Sequence, residues 1–253
     1  MENQVGTGLG ALEEFSAWAP CDFEGSDCHV GRLDGVPHLA DWREAVHFGR
    51  GFVLLRRVAI ESLSEAEAEA SFSQLAAQFG TPAEQAETIA NAALASPLCS
   101  LPSDLSAFAC LRAPEEGLAI DIASAVGLHN ALLAQPQDTL AWLYQADGTR
   151  LPAFRRRGAK LSVRLDPAEA DDSARGRAVA RALDLAQAMR LRIALEPGDL
   201  LVVNNHHTLV ACAGRSGRML RYALRAPLQS VPGFATSESL ASGQRTEDAY
   251  RAA

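Results

Sequence analysis

The sequence predicts an α+β protein, a β-sandwich or jelly roll flanked by helices. Three observations lead there. Helical periodicity dominates the chain up to Phe79, with a single short apolar strand inside it. Four strand-like runs then come in quick succession late in the chain: LRIAL (191–195), DLLVVNN (199–205), HTLVACA (207–213) and RMLRYALRA (218–226). They are punctuated by Pro197-Gly198 and by Gly214–Gly217, as tight connections between strands require. Third, 253 residues at 48% hydrophobic content suffice for one sizeable core.

The elements follow in order. Residues 1–30 are irregular in pattern and read as an arm, leaving 31–228 as a single domain and 229–253 as a polar, flexible tail. HLADWREAVHFG (38–49) places Leu39, Trp42, Ala45 and Val46 on one helical face, and Gly49 and Gly51 stop that helix. GFVLLRRVAI (51–60) is a mostly apolar strand. Ser64 begins a helix over 64–79, with Glu67 three residues on completing a capping box. Residues 86–96 are alanine-rich and carry no clear period. LSAFACLRA (105–113) is a buried strand, and 123–134 and 137–145 read as helices. The stretch 147–175 is turn-rich and charged, with one strand candidate at 159–165. A helix over 173–190 turns Val179, Ala182, Leu183, Leu185 and Ala186 inward.

Composition excludes several function classes. The net charge is −8, and no basic run is interleaved with aromatics, so nucleic acid is not an expected partner. The cluster Arg155–Arg157 reads as a solvated loop, with an anion contact as the alternative. No apolar run is long enough to span a membrane, and the first thirty residues lack a leader pattern. Five scattered cysteines fit a reduced, cytoplasmic setting better than a disulfide framework. Cys21 and Cys28-His29 lack the second ligand pair that zinc would need. Gly6-Thr7-Gly8-Leu9-Gly10 follows no strand, so it is no phosphate loop. His206 and His207, read as strand neighbours, point to opposite faces and cannot chelate one metal together. Either could serve as an acid or base, because imidazole titrates near neutral pH, or could simply hold the turn. His129 reads as a packing or surface residue of its helix.

Four stretches, in order, resemble the taurine-dioxygenase-like (TauD/TfdA, clavaminate-synthase-like) family of iron(II)/2-oxoglutarate dioxygenases. They are Gly51–Arg56; Phe79-Gly80-Thr81-Pro82 with Gln85; Cys110–Pro114; and Pro197–Leu201 running into Asn204-Asn205-His206. The resemblance implies a double-stranded β-helix with the site between its two sheets. It also implies where iron ligands would stand. The first histidine and the carboxylate, two residues apart, fall on Cys99 and Leu101; the distal histidine, four residues after the Asn-Asn-His turn, falls on Val210. Leucine and valine cannot ligate iron, and a lone thiolate is not a site. Asp104, three residues past Leu101, lands on the opposite face of a regular strand. The family's carboxylate-anchoring arginine falls on Arg221, with Arg218 close by, and its helper threonine or serine on Ala119. The segments between Gln85 and Cys99 and over 146–190, where the family builds its lid, look trimmed.

The resemblance therefore implies a divergent member that has lost the iron triad and needs no metal or cofactor. It would act on a small carboxylate-bearing molecule, in specialised metabolism, by cyclisation, isomerisation, elimination or hydrolysis. Cys99, His206 and His207 are its candidate catalytic residues; Arg221, Arg218, Asn205, Asp104 and Cys212 are its candidate binding residues. Cys99 is a nucleophile if a base stands near it, and otherwise a small buried hydrophobe. Cys212, two residues past Val210, lines the same cavity. A non-catalytic binding or partner protein and an iron oxygenase with unusual ligands are the alternatives. A homodimer is a candidate assembly.

Overall fold

The late strand LLVVN is buried at every position because both of its faces are covered. This is β10, Leu200–Asn204, in the computed structural model, which describes residues 17–23, 30–32, 39–83, 87–89, 98–115, 117–148, 150–157, 160–213 and 217–226. β10 pairs antiparallel with β2 (Phe52–Arg56) on one side and β5 (Leu105–Arg112) on the other. The larger sheet continues through β12 (Arg218–Arg225) to β3 (Thr81–Pro82) and β4 (Glu87–Ile89), and starts with β1 (Val30–Arg32), parallel to β2. A smaller sheet holds β11 (Thr208–Ala213), β6 (Leu118–Ser124) and β9 (Leu191–Leu195). A hairpin, β7 (Phe154–Arg157) with β8 (Lys160–Val163), stands beside it.

Three apolar clusters define the layers. Phe52, Leu54, Phe108, Leu201, Val203 and Met219 of the larger sheet meet Ile120, Ile122, Ile193 and Val210 of the smaller one. The opposite face of the larger sheet packs Val53, Leu55, Ala107, Val202 and Leu220 against Val46 of α1 (Leu39–His47) and Phe72 of α2 (Glu65–Ala76). The outer face of the smaller sheet is covered by α3 (Ala125–Leu133), α4 (Gln137–Tyr144) and α5 (Ala174–Ala188), through Leu128, Leu140 and Val179 among others. The result is helices, sheet, sheet, helices: strand period 2 separates the two faces of each sheet. Among the described residues no helix is long and apolar enough to cross a membrane.

Most expected elements form, though β2 ends four residues before its expected end, at Arg56, and α2 three before, at Ala76. The capping box is complete: Ser64 Oγ accepts from Glu67 N while the Glu67 carboxylate accepts from Ser64 N. The short strands β1, β3 and β4 were not expected, nor were two longer ones. β6 was hidden because LAIDIAS runs without a break into α3, and Ser124, its last residue, is also the helix N-cap. Phe154–Arg157 is strand β7 rather than a solvated loop, since Phe154 is fully buried and anchors it. The glycine-rich stretch 6–10, Cys28-His29, Gln85 and the tail after 228 lie outside the described residues.

Trp18 joins the inter-sheet core at 5% exposure, edge-on to Phe23 and Phe52, with its indole N–H donating to Arg50 O. One buried cation holds the region before α5 together. Arg175, 1% exposed, donates to Gln145 O (2.5 Å) and Leu151 O (2.6 Å) and pairs with Glu169 at 2.9 Å. Arg175→Met should cost about 3 kcal/mol, because it strands two carbonyls and a carboxylate; a urea titration measures it.

Two imidazoles set an acid limit on stability. Burial is the main cause lowering the basicity of His47, whose Nε2–H donates to Phe79 O at 2.9 Å, and of His129, which packs edge-on to Tyr144 and Phe154. Their folded pKa values lie below the unfolded value, so the unfolded chain binds more protons. The stabilisation is complete above the ordinary histidine pKa and is lost as the pH falls below it. Melting temperature should therefore drop from pH 7 to pH 5, and drop less in the His47→Gln, His129→Gln double variant.

Candidate functional site

At one end of the sandwich the chain leaves β10 and crosses to β11 through the turn Asn205–His207. The turn is buried, so its polar groups need protein partners. Asn204 Nδ2 donates to Val46 O, and Asn204 Oδ1 accepts from His206 N. Asn205 N donates to Asp104 O, and His206 Nε2 stands 3.1 Å from Asp104 Oδ1. Asp104 Oδ2 accepts from Ala226 N, just past β12. Asp104 thus ties the crossing turn to the end of the neighbouring strand.

A cavity of about 300 Å³ opens beside this turn. One wall is the run Cys99–Asp104, the second is Val163–Pro167, and Asn205 and His206 close it. The second wall comes from the segment over 146–190. That segment is not reduced to a bare connection: after β8 it pairs with the first wall through Ser100 N to Leu165 O and Ser100 Oγ to Val163 O.

The three positions singled out for iron lie together. Cys99 and Val210 form an isolated antiparallel bridge, each N–H donating to the other's carbonyl. Leu101 and Val210 belong to the inter-sheet apolar cluster, and Cys99 packs against it. Residues 102–104 then bend, so the alternation of a regular strand does not carry from Leu101 to Asp104, and both line the cavity. Asp104 is therefore not on the opposite face.

Arg221 lies on the face of β12 shared with Met219, the inter-sheet face, and its Nη2 is 3.5 Å from Ser103 Oγ. Arg218 is not brought to the site. It pairs with Glu65 and Glu69 of α2, on the outside of the larger sheet. His206 and His207 sit in the turn rather than on a strand, and they diverge: His206 goes to Asp104, while His207 packs its Cβ close to Gly51. Gly51 has φ +86 and a neighbour 3.0 Å from where its Cβ would stand, so no larger residue fits there. Cys212 pairs with Ile120 on β11, and its side chain lies outside the described residues. Ala119, also on β6, pairs with Ala213 and Ala194.

Sequence reasoning did not single out Ser106, which is fully buried and part of one polar cluster with Ser103 and Asn205. The signal was present: a serine among apolar residues of a buried strand must find a partner.

Iron of the 2-histidine-1-carboxylate kind needs three donors on one face. Here Cys99, Asp104, Asp166 and His206 line one cavity. Among the described residues, however, no three His, Cys, Asp or Glu side chains gather as a metal-binding group. The residues present therefore do not fit a three-donor site. Cys99 is also a poor thiolate: burial pushes its thiol up, the Asp166 carboxylate adds to this, and Arg221 opposes it.

No protein-family model matches the chain, and no curated protein matches it significantly. Solved structures do. An asparagine oxygenase (AsnO) aligns at TM-score 0.56 and 16% identity over 74% of this chain and 76% of that one. The same enzyme with Fe(II), 2S,3S-3-hydroxyasparagine and succinate aligns at 0.56, with 16% identity over 74% and 77%. The non-heme iron oxygenase OrfP with Fe aligns at 0.57, with 14% identity over 78% and 83%. The chain shares the fold of non-heme iron oxygenases. This corrects the expectation of a metal-independent enzyme acting by cyclisation, isomerisation, elimination or hydrolysis. The asparagine oxygenase is described with Fe(II), 2S,3S-3-hydroxyasparagine and succinate, and OrfP with Fe, succinate and (3R,4R)-dihydroxy-L-Arg.

The raised pKa of Cys99 has a measurable consequence. At pH 8 an alkylating reagent should modify exposed Cys21 well before Cys99, and the Cys99 rate should climb as the pH passes 9. Peptide mass spectrometry follows both sites. Equal rates at pH 8 would show an activated thiolate at Cys99.

Proposed function

We propose that this chain is an oxygenase of the non-heme iron, 2-oxoglutarate-dependent kind, acting on a small carboxylate-bearing molecule, with a metal-donor set different from positions 99, 101 and 210. The observation that carries this reading is the fold shared with proteins described in complex with Fe(II), succinate and a hydroxylated amino acid. The double-stranded β-helix belongs to the same reading, supported by two stacked sheets with helices on both outer sides. Bound iron would supply oxygen activation. The chain's own residues have other tasks. Arg221, on the inter-sheet face, holds a carboxylate through its two-donor fork, with Ser103 beside it. Leu101, Val210, Phe108 and Met219 keep water out of the interior.

One observation favours a second reading, a non-catalytic binding protein of the same lineage: Leu101 and Val210 fill the inter-sheet space with apolar packing. Metal content separates the two. Under the oxygenase reading, protein loaded anaerobically with iron(II) retains about one equivalent and forms succinate from 2-oxoglutarate. Elemental analysis measures the retained metal. Wild-type protein that retains no iron and forms no succinate overturns this reading in favour of the binding protein. For the anchor, Arg221→Ala should weaken carboxylate binding by roughly 30- to 1000-fold, and Arg221→Lys should restore only part of it.

A further inference from the structure

The cavity wall Val163–Pro167 runs beside Cys99–Leu101, held by Ser100 N donating to Leu165 O and Leu165 N donating to Ser100 Oγ. Val163 and Leu165 are buried in the cluster under α3, α4 and α5, on the outer face of the smaller sheet. The backbone is still extended at Asp166, with φ −114 and ψ 118. Strand alternation therefore sends Arg164 and Asp166 to the opposite face, the one Cys99 and Leu101 share. Both are exposed, and both line the cavity. A second observation agrees: the Cys99 thiol feels the Asp166 carboxylate and, with opposite sign, the Arg221 guanidinium. Asp166 Oδ1 accepts from Ala168 N at 2.9 Å, which fixes the carboxylate. Among the described residues neither Arg164 nor Asp166 has an ion-pair partner. The other charged groups of the cavity are matched, Asp104 facing His206 and accepting from Ala226 N.

We propose that Arg164 and Asp166 are specificity-determining residues that hold the end of the ligand remote from its carboxylate, and that this end is a neutral amide: a carboxamide, a ureido group or a peptide amide. Two residues along an extended chain span about 7 Å. A carboxylate placed there is drawn to Arg164 and repelled by Asp166, and an ammonium the reverse, so a full charge gains little. A neutral amide gains from both. Its carbonyl accepts from the guanidinium while its N–H donates to the carboxylate, and each bond is charge-assisted. A group of the same shape without the N–H forfeits one of the two. The proposal rests on Arg221 as the carboxylate anchor and names the chemistry of the ligand's other end, which the anchor does not choose.

Three carboxylate probes test this: glutaramate ends in a carboxamide, 5-oxohexanoate has the same shape with a methyl group in place of the NH2, and 5-aminopentanoate ends in an ammonium. Calorimetry on the wild-type protein should give glutaramate an affinity about tenfold above each of the others, the amount one charge-assisted hydrogen bond supplies. Asp166→Asn keeps an oxygen to cap Ala168 N and should bring glutaramate and 5-oxohexanoate together. Arg164→Gln leaves the carboxylate alone at the wall and should turn the preference toward 5-aminopentanoate. Both variants retain the length of the side chain they replace, and the shift in ratio is read within each variant, so a change in stability does not imitate it. Equal wild-type affinities for glutaramate and 5-oxohexanoate overturn the proposal, as does tighter binding of 5-aminopentanoate or binding of none of the three. Arg221→Gln should weaken all three alike and keep their ratios; affinities unchanged in that variant would overturn the anchor and leave the amide preference standing. Because binding is read without turnover, the result stands apart from the iron and succinate measurements.

Discussion

The two sheets are joined where the chain turns from β10 to β11, and that turn is buried. No water is at hand for its backbone, so its hydrogen bonds must come from the rest of the fold. Asn204 Nδ2 reaches Val46 O on α1, and Asn205 N reaches Asp104 O. The carbonyl of His206 accepts from Val163 N, and that of His207 from Ala125 N at the start of α3. One four-residue crossing therefore fixes the approach of α1, the bend before β5, the end of β8 and the first turn of α3. It also builds the mouth of the sandwich, since Asn205 and His206 are both turn residues and cavity walls. Changes in this turn would be felt by four neighbouring elements at once.

The mouth and the interior differ in kind. Between the sheets the side chains are apolar, and Cys99, Leu101 and Val210 add to that packing. At the mouth the polar groups concentrate: Ser103, Ser106, Asn205, Asp104, His206 and Arg221. A charge or amide at this boundary acts in a medium that screens it weakly, which is why partner geometry there matters more than partner number. Asp104 illustrates it, with one oxygen facing His206 and the other accepting from Ala226 N. Arg218 illustrates the converse: three residues from Arg221 and across a register shift, it turns to the outside and pairs with the acids of α2.

Local pattern made much of the fold legible. The helices α1, α2 and α5 and the late strands follow from side-chain period, from Ser64 and Glu67 as a capping pair, and from Pro-Gly or Gly punctuation. β6 was not legible, because a strand that hands its last residue to a helix as an N-cap leaves no break in the pattern. β7 was hidden by its three arginines, since a half-buried strand carries charge on its open face while one aromatic, Phe154, holds it down.

For the site, sequence by itself determined which chemistry could not arise at two positions: Leu101 and Val210 have no side-chain donor atoms, whatever the fold does with them. The choice between Arg221 and Arg218 came from the structure, in which Met219, two residues before Arg221 on the same strand face, joins the inter-sheet cluster. Only the tertiary structure decided which polar groups meet. Asp104 and His206 are 102 residues apart, Asn205 and Ser106 are 99 apart, and Arg221 and Ser103 are 118 apart. No local period reports contacts across such separations. The bend at 102–104 decided the rest by turning Asp104 toward the cavity, a change of face that depends on a hydrogen bond from Asn205 in another strand connection.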